Sequence, residues 1–242
     1  MNTIQAATIK EIVTDDYRTA AIFEKYSLDF CCGGGKTIEQ ACKEKSVDPA
    51  MVFEDLKNAP GRSSGPGDRF HSMEPDALIE HIVNTHHAYI RQVLPSMFTH
   101  TQKVASVHGE RHPEVMEIAA RFAVVAGELQ RHMTKEENIL FPYIKALVHA
   151  KKTNAAIQRP PFGSAQNPIR MMEAEHASAG DEMYEIRLLS SSYTPPPDAC
   201  TTFKVSYLEL QQFELDLHQH VHLENNILFP HAIALEQQVF GL

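Results

Sequence analysis

The sequence predicts an all-α protein: an up-down four-helix bundle preceded by a small helical domain. Three observations predict it. After residue 72, four long stretches carry apolar residues at helical spacing, with no strand-like alternation among them. The segments between them, QRPPFGSAQN and SSSYTPPPD among them, cannot continue a helix and are short enough for an up-down bundle. Before them, APGRSSGPGDR at 59–69 interrupts all apolar periodicity and reads as a linker.

The division that follows is a small helical domain over 1–58, a linker over 59–72 and the bundle over 73–242. In the first unit, 16–26 places Ala20, Ala21 and Phe23 at near-helical spacing. Helices at 37–45 and 48–58 follow, the last opening with an Asp cap and Pro49 at its first position. A unit of about three short helices buries little apolar surface, so it is expected to lean on a partner or on the bundle. The bundle helices are predicted over 75–107, 113–150, 168–191 and 198–238. Pro75, Pro113 and Pro168 sit at first turns, where a missing N–H is harmless, and Asn167 reads as a cap.

Bulk properties exclude several function classes. A net charge of -9 with scattered Lys and Arg leaves no basic footprint for nucleic acid or an anionic membrane. No apolar run reaches the roughly 18 residues of a membrane span, and the N-terminus lacks a basic region followed by an apolar one, so a cytoplasmic protein is expected. Cys31, Cys32, Cys42 and Cys200 are too few and too unevenly placed for a disulfide scaffold. Fourteen histidines are the unusual count.

Their positions are patterned. Residues 132–142 read HMTKEENILFP and residues 220–230 read HVHLENNILFP, an offset of 88. Each copy sets His and Glu four apart, His132 with Glu136 and His220 with Glu224, on one helix face. In a chain this rich in His and Glu, roughly one such pair arises by chance, so the repeat carries the weight. The preceding helices correspond too: His87 lies 45 residues before His132, and His176 lies 44 before His220. Two equivalent hairpins thus offer four imidazoles and two carboxylates. That set suits two divalent first-row metals, because carboxylates on facing helices can bridge a pair. Iron is favoured, manganese comes second, and a closed four-coordinate zinc site fits poorly.

Other residues carry two readings at this stage. His86 rivals His87, one residue turning the side chain by about 100°. His218 and His222 flank His220 on a different face, which suits a solvated or supporting role. The ILFP runs read as plain core, with kinks at Pro142 and Pro230. Glu128 and Glu175 are either exposed acids or carboxylates that fix an imidazole or relay protons. Vicinal Cys31 and Cys32 cannot form an unstrained staple. Set in a Gly-rich turn near a helix start, they suit redox or transfer chemistry, a buried apolar pair being the alternative. The GGGKT segment is no phosphate loop, since Phe30 stands where the motif needs Gly.

The two H-x-x-x-E copies, the segments MMEAEHASAGD and TPPPDACTTF between them, and KYSLDFCCGGGKT at the N-terminus together resemble the iron–sulfur cluster repair proteins of the RIC or ScdA type. The likeness spans essentially the whole chain, with one extra Gly in GGGK. It implies a hemerythrin-like bundle holding two iron ions per chain, bridged by oxo and carboxylate groups, with His87, His132, Glu136, His176, His220 and Glu224 as ligands. It further implies a cytoplasmic stress protein, more a repair or iron-donor protein than an enzyme, that restores clusters damaged by nitric oxide or oxidants. Its partners would be damaged iron–sulfur proteins, with nitric oxide or oxygen as small ligands, and a homodimer is allowed. Two alternatives stay open: a di-iron enzyme reducing nitric oxide or peroxide, and an oxygen-binding or oxygen-sensing protein. For the latter, the H-x-x-x-x-D spacing on a predicted bundle helix is that of His176 and Asp181.

Overall fold

Short polar side chains start the first helices. Thr8 and Glu11 cap each other, the Thr8 N–H donating to Glu11 Oε2 at 2.7 Å and the Glu11 N–H to Thr8 Oγ1 at 3.4 Å. Thr37 and Gln40 repeat the device. They open α1 (Ile9–Asp15) and α3 (Ile38–Lys45); a 3₁₀ turn at Tyr17–Thr19 and α2 (Ala20–Lys25) lie between, and α4 (Pro49–Asn58) follows. The helix α1 is absent from the sequence expectation, although its T-x-x-E signal is there to be read. The computed structural model describes residues 6–31, 33–58 and 70–241; Cys32 and all but the last three residues of the predicted linker lie outside them. Phe70, placed by sequence in the linker, is buried in the bundle's apolar core.

Four long helices make the bundle. The helix α5 runs Pro75–Ile82, a π-turn Val83–His87 and Ala88–His108; α6 runs Glu114–Lys135, a π-turn Glu136–Leu140 and Phe141–Thr153. The helix α7 is uninterrupted over Gln166–Leu189, and α8 runs Thr201–Leu223, a π-turn Glu224–Leu228 and Phe229–Phe240. Asn167 is not the cap of α7, which begins one residue before it: its Nδ2 instead donates to the Phe162 carbonyl at 2.8 Å. Where kinks are expected at Pro142 and Pro230, a π-turn lies just before each proline. There the Phe141 and Phe229 N–H groups reach back five residues, to the carbonyls of Glu136 and Glu224.

Two apolar clusters fill the molecule. One joins Phe122, Phe203 and Phe213 of the bundle to Ile9, Phe23, Phe30 and Ile38, so the N-terminal helices share the bundle's core. The other gathers Ile82, Leu140, Phe141, Ile169 and Phe229. Along every bundle helix the six predicted donors fall where one cluster gives way to the other, as on α5, where His87 lies between Ile82 and Ile90. The helices therefore hold the donors in a dry layer with apolar packing on both sides.

Candidate metal centre

Each of the six side chains is at most 2% exposed. They form two groups of four: His87, His220, Glu136 and Glu224, and His132, His176, Glu136 and Glu224, with all donor atoms of a group within 4.8 Å of one another. Both carboxylates belong to both groups. Glu136 turns Oε2 to His87 Nε2 (3.4 Å) and Oε1 to His132 Nε2 (3.2 Å). Glu224 turns Oε1 to His220 Nε2 (3.2 Å) and Oε2 to His176 Nε2 (3.1 Å). Between them the imidazoles face in pairs, His87 Nε2 to His220 Nε2 at 3.1 Å and His132 Nε2 to His176 Nε2 at 2.9 Å.

The electrostatics call for cations. All four carboxylate oxygens are buried without a hydrogen-bond partner, an arrangement costing several kcal/mol unless positive charge stands beside it. Burial and Glu224 push the Glu136 carboxyl up, but His132 and His87 outweigh them and hold it below its ordinary value. Glu224, raised by burial, is held well below its own by His220 and His176. Burial opposes protonation of His132, yet Glu136, Glu224 and Glu175 together outweigh it and raise that imidazole to about 9. A buried His/Glu cluster with ionised acids and facing ring nitrogens suits a metal site, which takes deprotonated donors.

Outer contacts aim the rings. His87 Nδ1 pairs with Glu137 Oε1 at 2.6 Å, and Arg91 holds the same oxygen at 2.7 Å. His132 Nδ1 pairs with Glu175 Oε2 at 2.9 Å, and Lys135 holds that carboxylate's other oxygen. His176 Nδ1 donates to Asn225 Oδ1 at 2.8 Å. Asn225 Nδ2 in turn donates to the Cys31 carbonyl at 3.3 Å, and Asn226 Nδ2 to that of Phe30 at 3.3 Å, tying the N-terminal helices to the site. Phe141 lies parallel to His87 at 5.8 Å and Phe229 parallel to His176 at 6.1 Å, so the ILFP runs are core that also backs two of the rings.

Comparison with known proteins places the chain. Residues 78–232 match the hemerythrin HHE cation binding domain, and residues 5–60 match ScdA_N, a domain of unknown function (DUF542). A probable iron–sulfur cluster repair protein of Haemophilus influenzae is 36% identical over 213 residues, covering 88% of this chain and 90% of the relative. The iron–sulfur cluster repair protein YtfE of Musicola paradisiaca is 34% identical, covering 90% and 92%. That of Escherichia coli O157:H7 is also 34% identical, covering 90% and 93%. The chain belongs to this iron–sulfur cluster repair family. Within it, the hemerythrin HHE match covers all six clustered side chains.

The structure separates the remaining sequence readings. His87 enters the cluster; His86 instead gives Nδ1 to Asp216 Oδ1 at 2.9 Å and lies parallel to His220. Glu175 contacts His132, whereas Glu128 is half-buried and outside both groups of donors. His218 and His222 face the N-terminal helices rather than water. His218 pairs with Glu24, and His222 packs on Tyr17 and Phe30. Cys31 is buried with its Sγ 3.3 Å from Asp29 Oδ1. It lines a cavity of about 700 Å³ together with Asp181, which stands apart from the donor groups. Sequence reasoning missed Glu137 and Asn225. Both directly follow the Glu of a repeat copy, 88 apart, and that correspondence is the signal that finds them.

Proposed function

We propose that the cluster holds two iron ions and that the protein repairs iron–sulfur clusters damaged by nitric oxide or oxidants, giving up or exchanging iron. The observation that carries this reading is the sharing of Glu136 and Glu224 by two four-donor groups. Each group has two imidazoles and one oxygen of each carboxylate, which leaves room for further ligands. Four imidazoles and two shared carboxylates would suit a pair of iron ions better than a closed four-coordinate zinc site. His87 and His220 would hold one ion and His132 and His176 the other. The bound ions supply redox chemistry and exchangeable iron. The chain's own part is to keep the two carboxylates ionised, aim the donors from outside and exclude water by packing.

The relatives named for cluster repair support the same reading, with damaged iron–sulfur proteins as partners. Carboxylate and imidazole donors favour release, since protonation or ligand shift loosens them more readily than thiolates. Cys31, in the loop that Asn225 holds, is proposed to handle thiol redox or transfer at the client. Among the described residues no helix is long and apolar enough to cross a membrane, and we place the action in the cytoplasm. The test is metal analysis followed by repair. Purified protein should carry two irons per chain and restore activity to a nitric-oxide-damaged iron–sulfur enzyme. One zinc per chain, or no restoration by iron-loaded protein, would overturn the proposal.

A further inference from the structure

The two hairpins build the site by the same rules, and they break one of them. In both, the first-helix histidine is held by the residue after the shared Glu: His87 by Glu137, His176 by Asn225. The second-helix histidine is met across the bundle by the residue just before the other hairpin's first histidine. For His132 that residue is Glu175, whose carboxylate accepts from Nδ1 at 2.9 Å. For His220 it is His86, and there the rule fails. The rings are stacked, centroids 5.6 Å apart and 8° from parallel. Among the described residues, neither His220 Nδ1 nor His86 Nε2 has a hydrogen-bond partner. His86 cannot turn its other nitrogen inward without giving up Asp216.

From this asymmetry we infer that the two metal seats are unequal, and that the ion between His87 and His220 is the one the protein releases first. The inference rests on the two-ion reading above and names which ion is cargo. A carboxylate on the far nitrogen of a metal-binding imidazole fixes the ring and raises its basicity. Losing such a partner typically weakens metal binding by about 10- to 100-fold. The seat of His132 and His176 has an acceptor behind both rings; the seat of His87 and His220 has one behind His87 only. The residue that sets the difference is His86, a positioning residue at the place where the other half carries Glu175.

The experiment is chelator-driven release from the full chain loaded anaerobically with two equivalents of ferrous iron. Iron should leave in two phases of one ion each, roughly 10- to 100-fold apart in rate. His86→Glu combined with Asp216→Asn supplies the missing acceptor and removes the facing acid; it should slow the fast phase about tenfold or more and leave the slow one unchanged. Glu175→Gln, at a side chain one-third exposed, should quicken only the slow phase. Two ions leaving together from the parent protein, or a Glu175→Gln variant that quickens the fast phase, would overturn the inference alone. Uptake of fewer than two ions would overturn it together with the two-ion reading.

Discussion

Asn225 carries the connection between the Cys31 loop and the donor cluster, and the repeat supplies its own control. Its Oδ1 accepts from His176 at 2.8 Å while its Nδ2 donates to the Cys31 carbonyl at 3.3 Å. The equivalent Glu137 has an acceptor and no donor. Asn225→Asp therefore keeps the acceptor on His176, adds charge, and sets a carboxylate oxygen against a carbonyl. Losing one part-buried hydrogen bond in this way costs about 1–2 kcal/mol. Local opening of the loop should then become roughly 5- to 30-fold more frequent. The amides that report it are those of Cys31 and Gly33, which donate to the Asp29 carboxylate at 2.9 and 2.7 Å. Their hydrogen exchange should quicken by that factor. The added charge behind His176 should slow chelator release of the more tightly held ion by up to about tenfold. The two effects have opposite directions, so general destabilisation cannot imitate them. Unchanged exchange at Cys31 and Gly33 would refute the reasoning.

Two further predictions concern stability and pH. Arg187 donates through Nε and Nη2 to Glu214 Oε1 at 3.1 and 2.8 Å, and Tyr193 Oη donates to Oε2 at 2.9 Å. Arg187→Ala strands the buried Glu214 carboxylate, and the urea midpoint should fall by the equivalent of about 3–5 kcal/mol at unchanged slope. Burial, with His71 adding to it, depresses His222 to about 4, and Asn226 Nδ2 donates to its Nδ1 at 2.9 Å, which requires the neutral ring. Because this histidine's folded value lies below its unfolded value near 6.5, the unfolded chain binds the proton first. Stability is thus intact above about pH 6.5 and declines by up to about 3 kcal/mol as pH falls toward 4. Denaturant titrations at pH 7 and 5 should show His222→Gln losing less stability than the parent over that interval; equal losses would refute the assignment.

The donor set was legible because a duplicated hairpin repeats residue types at fixed offsets, and helical phase then turns His132 with Glu136, and His220 with Glu224, to one side. What lies behind the rings was less legible. Glu137 follows Glu136 directly, and on an ideal helix consecutive side chains diverge by about 100°. A search for one polar face would discard it. In the structure the two residues touch opposite nitrogens of the same ring, His87. His86 was ambiguous for the same reason: spacing alone separates neighbours by one residue, and only the packing of α5 against α8 decides which imidazole points inward. The start of α1 was readable from Thr8 and Glu11, but its apolar content is too short to stand out without the bundle surface that covers it.

The π-turns explain why the phase departs from the ideal. Three interrupt the bundle helices, and each bears a donor of the cluster: His87, Glu136 or Glu224. Two precede prolines, which makes the missing N–H of Pro142 and Pro230 an attractive cause. The third has no such proline, and Pro95 lies inside the α-helical stretch Ala88–His108 without a π-turn beside it. Proline is therefore neither necessary nor sufficient. What the three turns share is a buried donor, since the wider turn shifts the side chains that follow onto a new phase. The helix α7 stays regular and supplies only His176. The poorer hydrogen-bond geometry of a π-turn persists where something else holds it. Here the prolines make two of the turns cheap, and a buried donor, His87, Glu136 or Glu224, is what all three have in common.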